Sequence, residues 1–292
     1  ENNQICYKSY ERHKAQVRQK ALDKLVELKK YTKEPFKFAI SGSGALGLSE
    51  QGELPFVQEV FASATGVSKL YPETDCAIEL GGEDAKILFF QGSVEQRMNS
   101  TCAGGTGAFI DQMATLLNMS LKEMNEASLN YHRLYPIASR CGVFAKTDIQ
   151  PLINQGVDKC DLCASIFQAV VDQTITSLAQ GRKIEGNILF LGGPLYFMSG
   201  LRNRFVETLK LSDVQVNCPD TAINFVALGT AICADQEYTY DELYKALEDL
   251  VHAPAKLTES KPLFESDEDY QKFIERHKSH DAKFTDLKNY AG

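Results

Sequence analysis

The chain has 292 residues, 43% of them hydrophobic and 24% charged, which is the composition of an ordinary soluble globular protein and enough length for about two domains. Its 31 basic and 39 acidic residues give a formal net charge of −8, so the composition indicates no basic footprint for nucleic acid and no polybasic patch for a membrane surface. No uninterrupted apolar stretch approaches the roughly 18 residues of a membrane span, and we expect no secretory signal.

The alternation of apolar and polar residues predicts the elements in chain order. Strands are predicted at 5–9, 36–40, 76–80, 86–90, 94–98, 187–191 and 214–216. Helices are predicted at 11–31, 55–64, 105–117, 144–153, 162–180 and 221–234, with a further helix opened by Pro194, and residues 41–47 are predicted as a loop. Strands that alternate with helices are typical of an α/β fold.

The composition changes after Ala234. Residues 235–292 contain 14 acidic and 8 basic side chains, which favours a helical linker or docking segment rather than a third core.

The eight cysteines are scattered along the chain, at positions 6, 76, 102, 141, 160, 163, 218 and 233. Scattered cysteines in a chain of this size favour a reducing compartment over a disulfide scaffold, so we expect a cytoplasmic protein.

Two glycine loops follow predicted strands. The first runs Glu79-Leu80-Gly81-Gly82-Glu83-Asp84, and the second is Gly192-Gly193-Pro194. Paired glycines let a backbone approach a phosphate or nucleoside closely, and a helix opened by proline offers free N–H groups. The carboxylates of Glu79 and Asp84 could hold Mg²⁺ or orient water. Each loop taken alone could equally be a tight turn, and neither matches a dinucleotide-binding or Walker pattern.

Cys102 and Cys141 each stand directly before a predicted helix, beside glycines. A helix N-terminus favours the thiolate form of a thiol, so two such helices could present two soft ligands to one metal centre. A zinc ion or a 4Fe–4S cluster takes four ligands, and a symmetric partner would supply the other two. The alternative is two buried helix-cap cysteines. Cys160 and Cys163 form a lone C-x-x-C pair, interpreted as structural, and the five histidines form no ligand or triad pattern.

The stretches 78–86, 102–111, 140–148 and 190–194 resemble the acyl-CoA dehydratase activases, which are the activators of 2-hydroxyglutaryl-CoA dehydratase and the related activators of benzoyl-CoA reductase. The resemblance covers about residues 1–234. It is strongest to the long branch, in which activase repeats share one polypeptide with dehydratase-related regions.

The resemblance implies the two-lobed ATPase fold shared by actin, sugar kinases and heat-shock proteins. The first lobe would be 1–72, completed by helix 224–234. The second lobe would be 73–223, and 235–292 would be the charged linker or docking segment. It also implies ATP with Mg²⁺ at the two glycine loops, with 79–84 as the second phosphate loop and 192–194 as the adenosine loop.

The same resemblance implies a 4Fe–4S cluster shared across a homodimer, or across a pseudo-dimer with a second activase repeat, with Cys102 and Cys141 as the ligands from this chain. ATP would then drive one electron to an acyl-CoA dehydratase or reductase component. Relative to the short activases, Glu79 stands in place of aspartate and Glu83 in place of glutamine.

One departure concerns the beginning of the chain. The superfamily opens with a strand and a first phosphate loop, whereas this chain starts with Glu1 at what resembles the second strand. We therefore expect a piece of a longer protein with a truncated first lobe, inactive as an ATPase by itself. Two other functions stay open: a sugar- or acetate-kinase-like phosphotransferase, and a non-catalytic docking module of a larger activase.

Overall fold

The computed structural model describes residues 4–33, 35–99, 104–138, 141–254 and 262–278. The chain divides into two units, residues 1–252 and 253–292. The strands are β1 (Phe36–Lys37), β2 (Cys76–Leu80), β3 (Ala85–Phe89), β4 (Glu95–Met98), β5 (Ile188–Leu191), β6 (Val216–Asn217) and β7 (Glu237–Tyr238). The helices are α1 (Val17–Leu28), α2 (Ser43–Gly52), α3 (Glu59–Leu70), α4 (Gly107–Leu116), α5 (Leu121–Ser128), α6 (Gly142–Asn154), α7 (Lys159–Thr174), α8 (Gly193–Phe197), α9 (Ser199–Leu209), α10 (Phe225–Cys233), α11 (Tyr240–His252) and α12 (Asp267–Lys278).

A five-stranded mixed sheet forms the centre of the first unit, in the order β4-β3-β2-β5-β6. The pairs β4-β3 and β3-β2 are antiparallel, whereas β2-β5 and β5-β6 are parallel. All residues of β2, β3 and β5 are buried, as expected for strands covered by helices on both faces. The carboxyl ends of β2 and β5 therefore meet at one edge of the sheet.

Each face of this sheet has its own core. Ile78 and Phe190 point into the larger core, which also contains Phe109 of α4, Phe167 of α7 and Phe205 of α9. The opposite face packs against α3 and α10 through Ala77, Leu88, Leu189, Leu191, Val60, Val67 and Phe225. The two faces alternate along each strand because successive side chains point to opposite sides.

A smaller layer is built from distant parts of the chain. The short strands β1 and β7 pair antiparallel, with Phe36 opposite Tyr238. Helices α1, α2 and α11 enclose a separate core that contains Leu25, Leu48, Leu243 and Leu247. Residues 237–252 thus fold within the first unit.

By length and composition alone, the helical run Lys159–Ala179 is apolar enough to cross a membrane, but 67% of that window is buried inside the protein. This is the pattern of a core helix. In the second unit, α12 has no buried residue, and Phe264 packs against Tyr270 and Phe273.

Two predictions about elements near the start of the chain are wrong, and a third places the start of a helix too early. Residues 5–9 form no strand, because no described strand pairs with them and a lone strand leaves its ladder hydrogen bonds unmade. The predicted helix 11–31 begins only at Val17, after the left-handed residues Lys14 and Ala15. The predicted loop 41–47 is largely helix α2, whose first residue follows Gly42 at φ 90°.

Candidate functional site

The two glycine loops lie side by side at the carboxyl edge of β2 and β5. Glu79 of β2 is in register with Leu191 of β5, so both strands end at the same level. A Cβ on Gly192, whose φ is +87°, would lie 2.0 Å from the carbonyl oxygen of Leu80. The second loop therefore rests directly on the strand that leads into the first, and only glycine fits there.

The first loop is held by its own turn and by helix α4. The Gly81 N–H donates to the Asp84 carbonyl at 2.7 Å. The N–H groups of Gly107 and Ala108, in the first turn of α4, donate to the carbonyls of Gly81 and Gly82 at 2.9 and 2.7 Å. The loop carbonyls thus cap the helix that follows Cys102, satisfying donors that have no partner within the helix.

Gly107 is the point where three predicted motifs meet. A Cβ on this residue would lie 3.1 Å from the Gly81 oxygen, 3.3 Å from the Gly82 Cα and 3.3 Å from Pro194 Cγ. The first turn of α4 therefore contacts both glycine loops at once, and a Cβ at this position would require its neighbours to shift by a few tenths of an ångström.

Glu79 is a buried carboxylate with partners on both oxygens. Its Oε1 lies 3.1 Å from Lys86 Nζ, and its Oε2 accepts a hydrogen bond from the Ser63 hydroxyl at 2.9 Å. Lys86 also pairs with Glu59. Burial lowers the pKa of the Lys86 ammonium, but the charges and hydrogen bonds of Glu79 and Glu59 outweigh it and raise that pKa overall. Asp84 is half-buried at the end of the loop, immediately before β3.

Cys141 is the N-cap residue of α6 and is half-buried. The start of α6 packs against α4, since a Cβ on Gly142 would lie 3.1 Å from Gln112 Oε1 and 3.8 Å from Phe109 Cδ2. Cys102 lies outside the described residues, five positions before the start of α4. Directly after Cys141, Val143 and Phe144 are 69% and 66% exposed.

The remaining thiols have different surroundings. Burial raises the pKa values of Cys76 and Cys163 to about 12, and the Cys163 Sγ lies 3.8 Å from the Met119 Sδ. Burial is also the main cause that raises the pKa of Cys160. Within the part of the chain that the structure describes, no group of three or more His, Cys, Asp or Glu residues could hold a metal ion.

The segment before α1 also contacts this edge of the sheet, which no pattern in the sequence predicts. The backbone carbonyl of Ser9 accepts a hydrogen bond from the Asn224 side chain at 2.9 Å. The Tyr10 hydroxyl lies 2.9 Å from the position of a Cβ on Gly193, and Arg12 forms two bonds of 3.1 and 3.2 Å to Asp111 of α4. These contacts join residues about 100 to 200 positions apart, so no local pattern signals them.

Comparison with known proteins identifies relatives of the chain. The sequence profile of the BadF/BadG/BcrA/BcrD ATPase family matches residues 6–234. The chain is 28% identical over 209 residues to the 2-hydroxyisocaproyl-CoA dehydratase activator of Clostridioides difficile, covering 70% of this chain and 74% of that protein. It is 29% identical over 180 residues to the (R)-2-hydroxyglutaryl-CoA dehydratase activating ATPase of Acidaminococcus fermentans, covering 61% and 67%.

A more distant relative belongs to the benzoyl-CoA reductase of Thauera aromatica. One polypeptide of that enzyme is 26% identical to this chain over 164 residues, covering 54% of this chain and 58% of that protein.

Solved structures give the same picture. The structure of (R)-2-hydroxyglutaryl-CoA dehydratase component A from Acidaminococcus fermentans superposes with a TM-score of 0.61 at 26% identity, over 73% of this chain and 77% of that one. The activator of 2-hydroxyisocaproyl-CoA dehydratase from Clostridium difficile, solved with bound ADPNP, gives a TM-score of 0.64 at 24% identity, over 82% and 85%. The predicted α/β class is confirmed, and the fold matches these actin-like ATPase structures.

Proposed function

Because the chain belongs to the BadF/BadG/BcrA/BcrD ATPase family, we propose that it is an ATP-dependent iron–sulfur electron donor that activates a 2-hydroxyacyl-CoA dehydratase or a related reductase component. The observation that carries the proposal is the position of helix α4. Its first turn is capped by the carbonyls of Gly81 and Gly82, it contacts Pro194, and it follows Cys102. One helix thus contacts the candidate nucleotide loops and begins five positions after a candidate cluster ligand in the sequence.

The nucleotide part of the proposal is ATP with Mg²⁺. Gly81 and Gly82 would form the phosphate side and Gly192, Gly193 and Pro194 the adenosine side. Both loops lie at the carboxyl edge of parallel strands, where ligands bind in open α/β sheets. Glu79 and Asp84 would hold the metal ion or orient water, since each lies in or directly before the first loop.

The cluster part assigns Cys102 and Cys141 as ligands of a 4Fe–4S cluster, which supplies one-electron chemistry when bound. Cys141 is the N-cap residue of α6, next to the first N–H groups of that helix, which have no partner within the helix. Two thiolates are half of the set that such a cluster takes, so a second copy or a second activase repeat would provide the other two. The exposed Val143 and Phe144 lie next to Cys141 and would be covered by that partner.

Contacts of helix α4 with the first glycine loop and with the start of α6 would couple the nucleotide site to the cluster. A change in the loop at Gly81 and Gly82 acts directly on the first turn of α4, which those carbonyls cap. Gln112 and Phe109 of α4 lie against Gly142, next to Cys141. A nucleotide-dependent movement of α4 would therefore reach both candidate ligands. We also place the protein in the cytoplasm, since the seven cysteines among the described residues are free.

Anaerobic reconstitution with iron and sulfide tests the cluster assignment. We expect about two iron and two sulfide per chain, because a four-iron cluster is shared by two chains. Cys102→Ser and Cys141→Ser should each abolish the bound iron, whereas the matched controls Cys160→Ser and Cys163→Ser should retain it. A Cys102→Ser/Cys141→Ser double variant that still binds a full cluster would refute the assignment.

A further inference from the structure

A buried charged cluster lies behind the first glycine loop, between the sheet and helix α3. Lys86 of β3 is only 1% exposed and faces Glu79, its direct cross-strand partner on β2. Lys86 Nζ lies 3.1 Å from Glu79 Oε1 and also pairs with Glu59, the first residue of α3. Ser63, one turn further along α3 and fully buried, donates to Glu79 Oε2 at 2.9 Å.

Stability alone does not explain this cluster. Taking a carboxylate and an ammonium out of water costs several kcal/mol per ion, and buried ion pairs can often be replaced by apolar residues without loss. The neighbouring positions on the same face, Ala77, Leu88 and Leu191, are apolar, so apolar packing is available to this layer. Charge at this one point of the face calls for another reason.

The location of the cluster supplies that reason. Glu79 is the second residue before Gly81, and it is in register with Leu191, the residue directly before Gly192. Its carboxylate therefore lies at the level where both loops leave the sheet. Each of its oxygens is held by a different element, Oε1 by β3 and Oε2 by α3. Two bonds from different directions fix the plane of a carboxylate, which a single bond does not.

We propose that Lys86 and Ser63 are positioning residues that hold the Glu79 carboxylate in the orientation in which it supports Mg²⁺–nucleotide binding at the neighbouring loops. The proposal rests on the proposed function, since it takes the nucleotide to bind at those loops. It goes beyond that function by assigning two residues outside the glycine loops. It also makes α3, through Ser63, part of the structure that determines how the metal ion is held.

The test separates metal handling from folding. The affinity of the full chain for the ATP analogue ADPNP is measured by isothermal titration with and without Mg²⁺, and the ratio of the two dissociation constants is the readout. Ser63→Ala removes one hydrogen bond to a charged group, so we expect the Mg²⁺-dependent gain in affinity to fall about tenfold. The affinity without Mg²⁺ should stay unchanged, because Ser63 acts through Glu79 alone.

Ser128→Ala is the matched control. Ser128 is also buried and donates one hydrogen bond, to the carbonyl of Asn125, away from the loops. This variant should keep the wild-type ratio. Lys86→Met, checked for folding by circular dichroism, should lower the ratio at least as much as Ser63→Ala; should it fail to fold, Ser63→Ala decides alone.

Two negative results are distinguishable. Equal ratios in wild type, Ser63→Ala and Ser128→Ala would overturn the positioning roles while leaving the proposed function intact. Absence of ADPNP binding by the wild-type chain, with and without Mg²⁺, would overturn the nucleotide part of the proposed function and the positioning roles with it.

Discussion

Gly192 lies against the carbonyl of Leu80, and a Cβ added to it would lie 2.0 Å from that oxygen. This contact joins the end of one parallel strand to the turn after the other, and so fixes the distance between the two glycine loops. The Gly192 N–H donates in turn to the Ala222 carbonyl at 3.0 Å. The backbone of this loop is thus held from both sides without any side chain.

Gly192→Ala should strongly destabilise the protein. The alanine would have to adopt φ 87° and ψ 161°, a backbone region essentially restricted to glycine, which costs about 1–3 kcal/mol. Its Cβ would also overlap the Leu80 carbonyl, which adds about 1–3 kcal/mol. Urea denaturation measures the free energy of unfolding. Gly181→Ala is the control, because Gly181 has nearly the same φ, +85°, with nothing within 4 Å of a Cβ. Equal losses in the two variants would show that the contact with Leu80 is not tight.

The crossing of α3 and α10 provides a second pair of variants, and these two should change the free energy of unfolding in opposite directions. A Cβ on Gly229 would lie 2.1 Å from the Ala62 carbonyl oxygen, whereas Gly47, inside α2, has nothing within 4 Å. Gly229→Ala should lower the free energy of unfolding by about 1–3 kcal/mol or more, because the helices must separate. Gly47→Ala should raise the free energy of unfolding by about 0.5–1 kcal/mol, because alanine is more stable than glycine at an exposed position inside a helix. A stabilised Gly229→Ala variant would contradict the close crossing.

The three central strands, β2, β3 and β5, could be predicted from the sequence because they are buried on both faces and are largely apolar. Strand β2 matches the predicted range 76–80, β3 is shifted by one residue at both ends from the predicted 86–90, and β5 begins one residue later than predicted. The pairing of β1 with β7 could not be predicted, because each strand has only two residues and Phe36 pairs with Tyr238 about 200 positions away. Helix α5 was missed although Ser120 and Glu123 form a capping box, a local signal of a helix start.

In the candidate site, too, some features could be predicted from the sequence and others could not. The meeting of the two glycine loops follows from parallel neighbours whose carboxyl ends share an edge. The cluster around Lys86 was missed because a lysine in a strand suggests a solvent-facing position. A tight turn at 81–84 places residues 79 and 86 opposite each other. The pair of Lys86 with Glu79 could therefore have been predicted from the sequence. The contributions of Ser63 and Glu59 depend on how α3 packs, which no local pattern specifies.

The buried Cys76 thiol makes stability depend on alkaline pH. Burial raises the pKa of Cys76 to about 12, whereas an unfolded thiol titrates near about 8.5. Its contribution is therefore complete below about pH 8.5 and is lost as the pH rises towards the folded value, because only the unfolded state releases the proton. As the pH rises between roughly 9 and 11, the free energy of unfolding should fall in the wild type and in Cys76→Ala. The slope of the wild type should be steeper by about 1.4 kcal/mol per pH unit.

Urea midpoints across this alkaline range give the two slopes. The control Cys6→Ala removes an exposed thiol and should keep the wild-type slope. Parallel slopes for the wild type and Cys76→Ala would show that this thiol is not buried in the folded state.

Asp161 gives the opposite pH dependence. Its carboxylate accepts the N–H groups of His132 and Arg133 at 2.7 and 3.0 Å, and these backbone hydrogen bonds lower its pKa. The stability from Asp161 is present above the unfolded pKa of about 3.9 and is lost as the pH falls through the lower folded value. At neutral pH, the free energy of unfolding of Asp161→Asn should be about 1–2 kcal/mol lower than that of the wild type. This difference should become smaller in acid. A difference that stays constant down to pH 3 would contradict the charge-dependent role.

The most direct measurement records the electron paramagnetic resonance spectrum of the reconstituted, reduced protein with and without saturating Mg²⁺–ADPNP. We expect nucleotide to change the spectrum, because α4 contacts both glycine loops and begins five positions after Cys102 in the sequence. The change should saturate at the same nucleotide concentration as binding itself. Identical spectra at full nucleotide occupancy, with the cluster present, would contradict the claim that one helix couples the two sites.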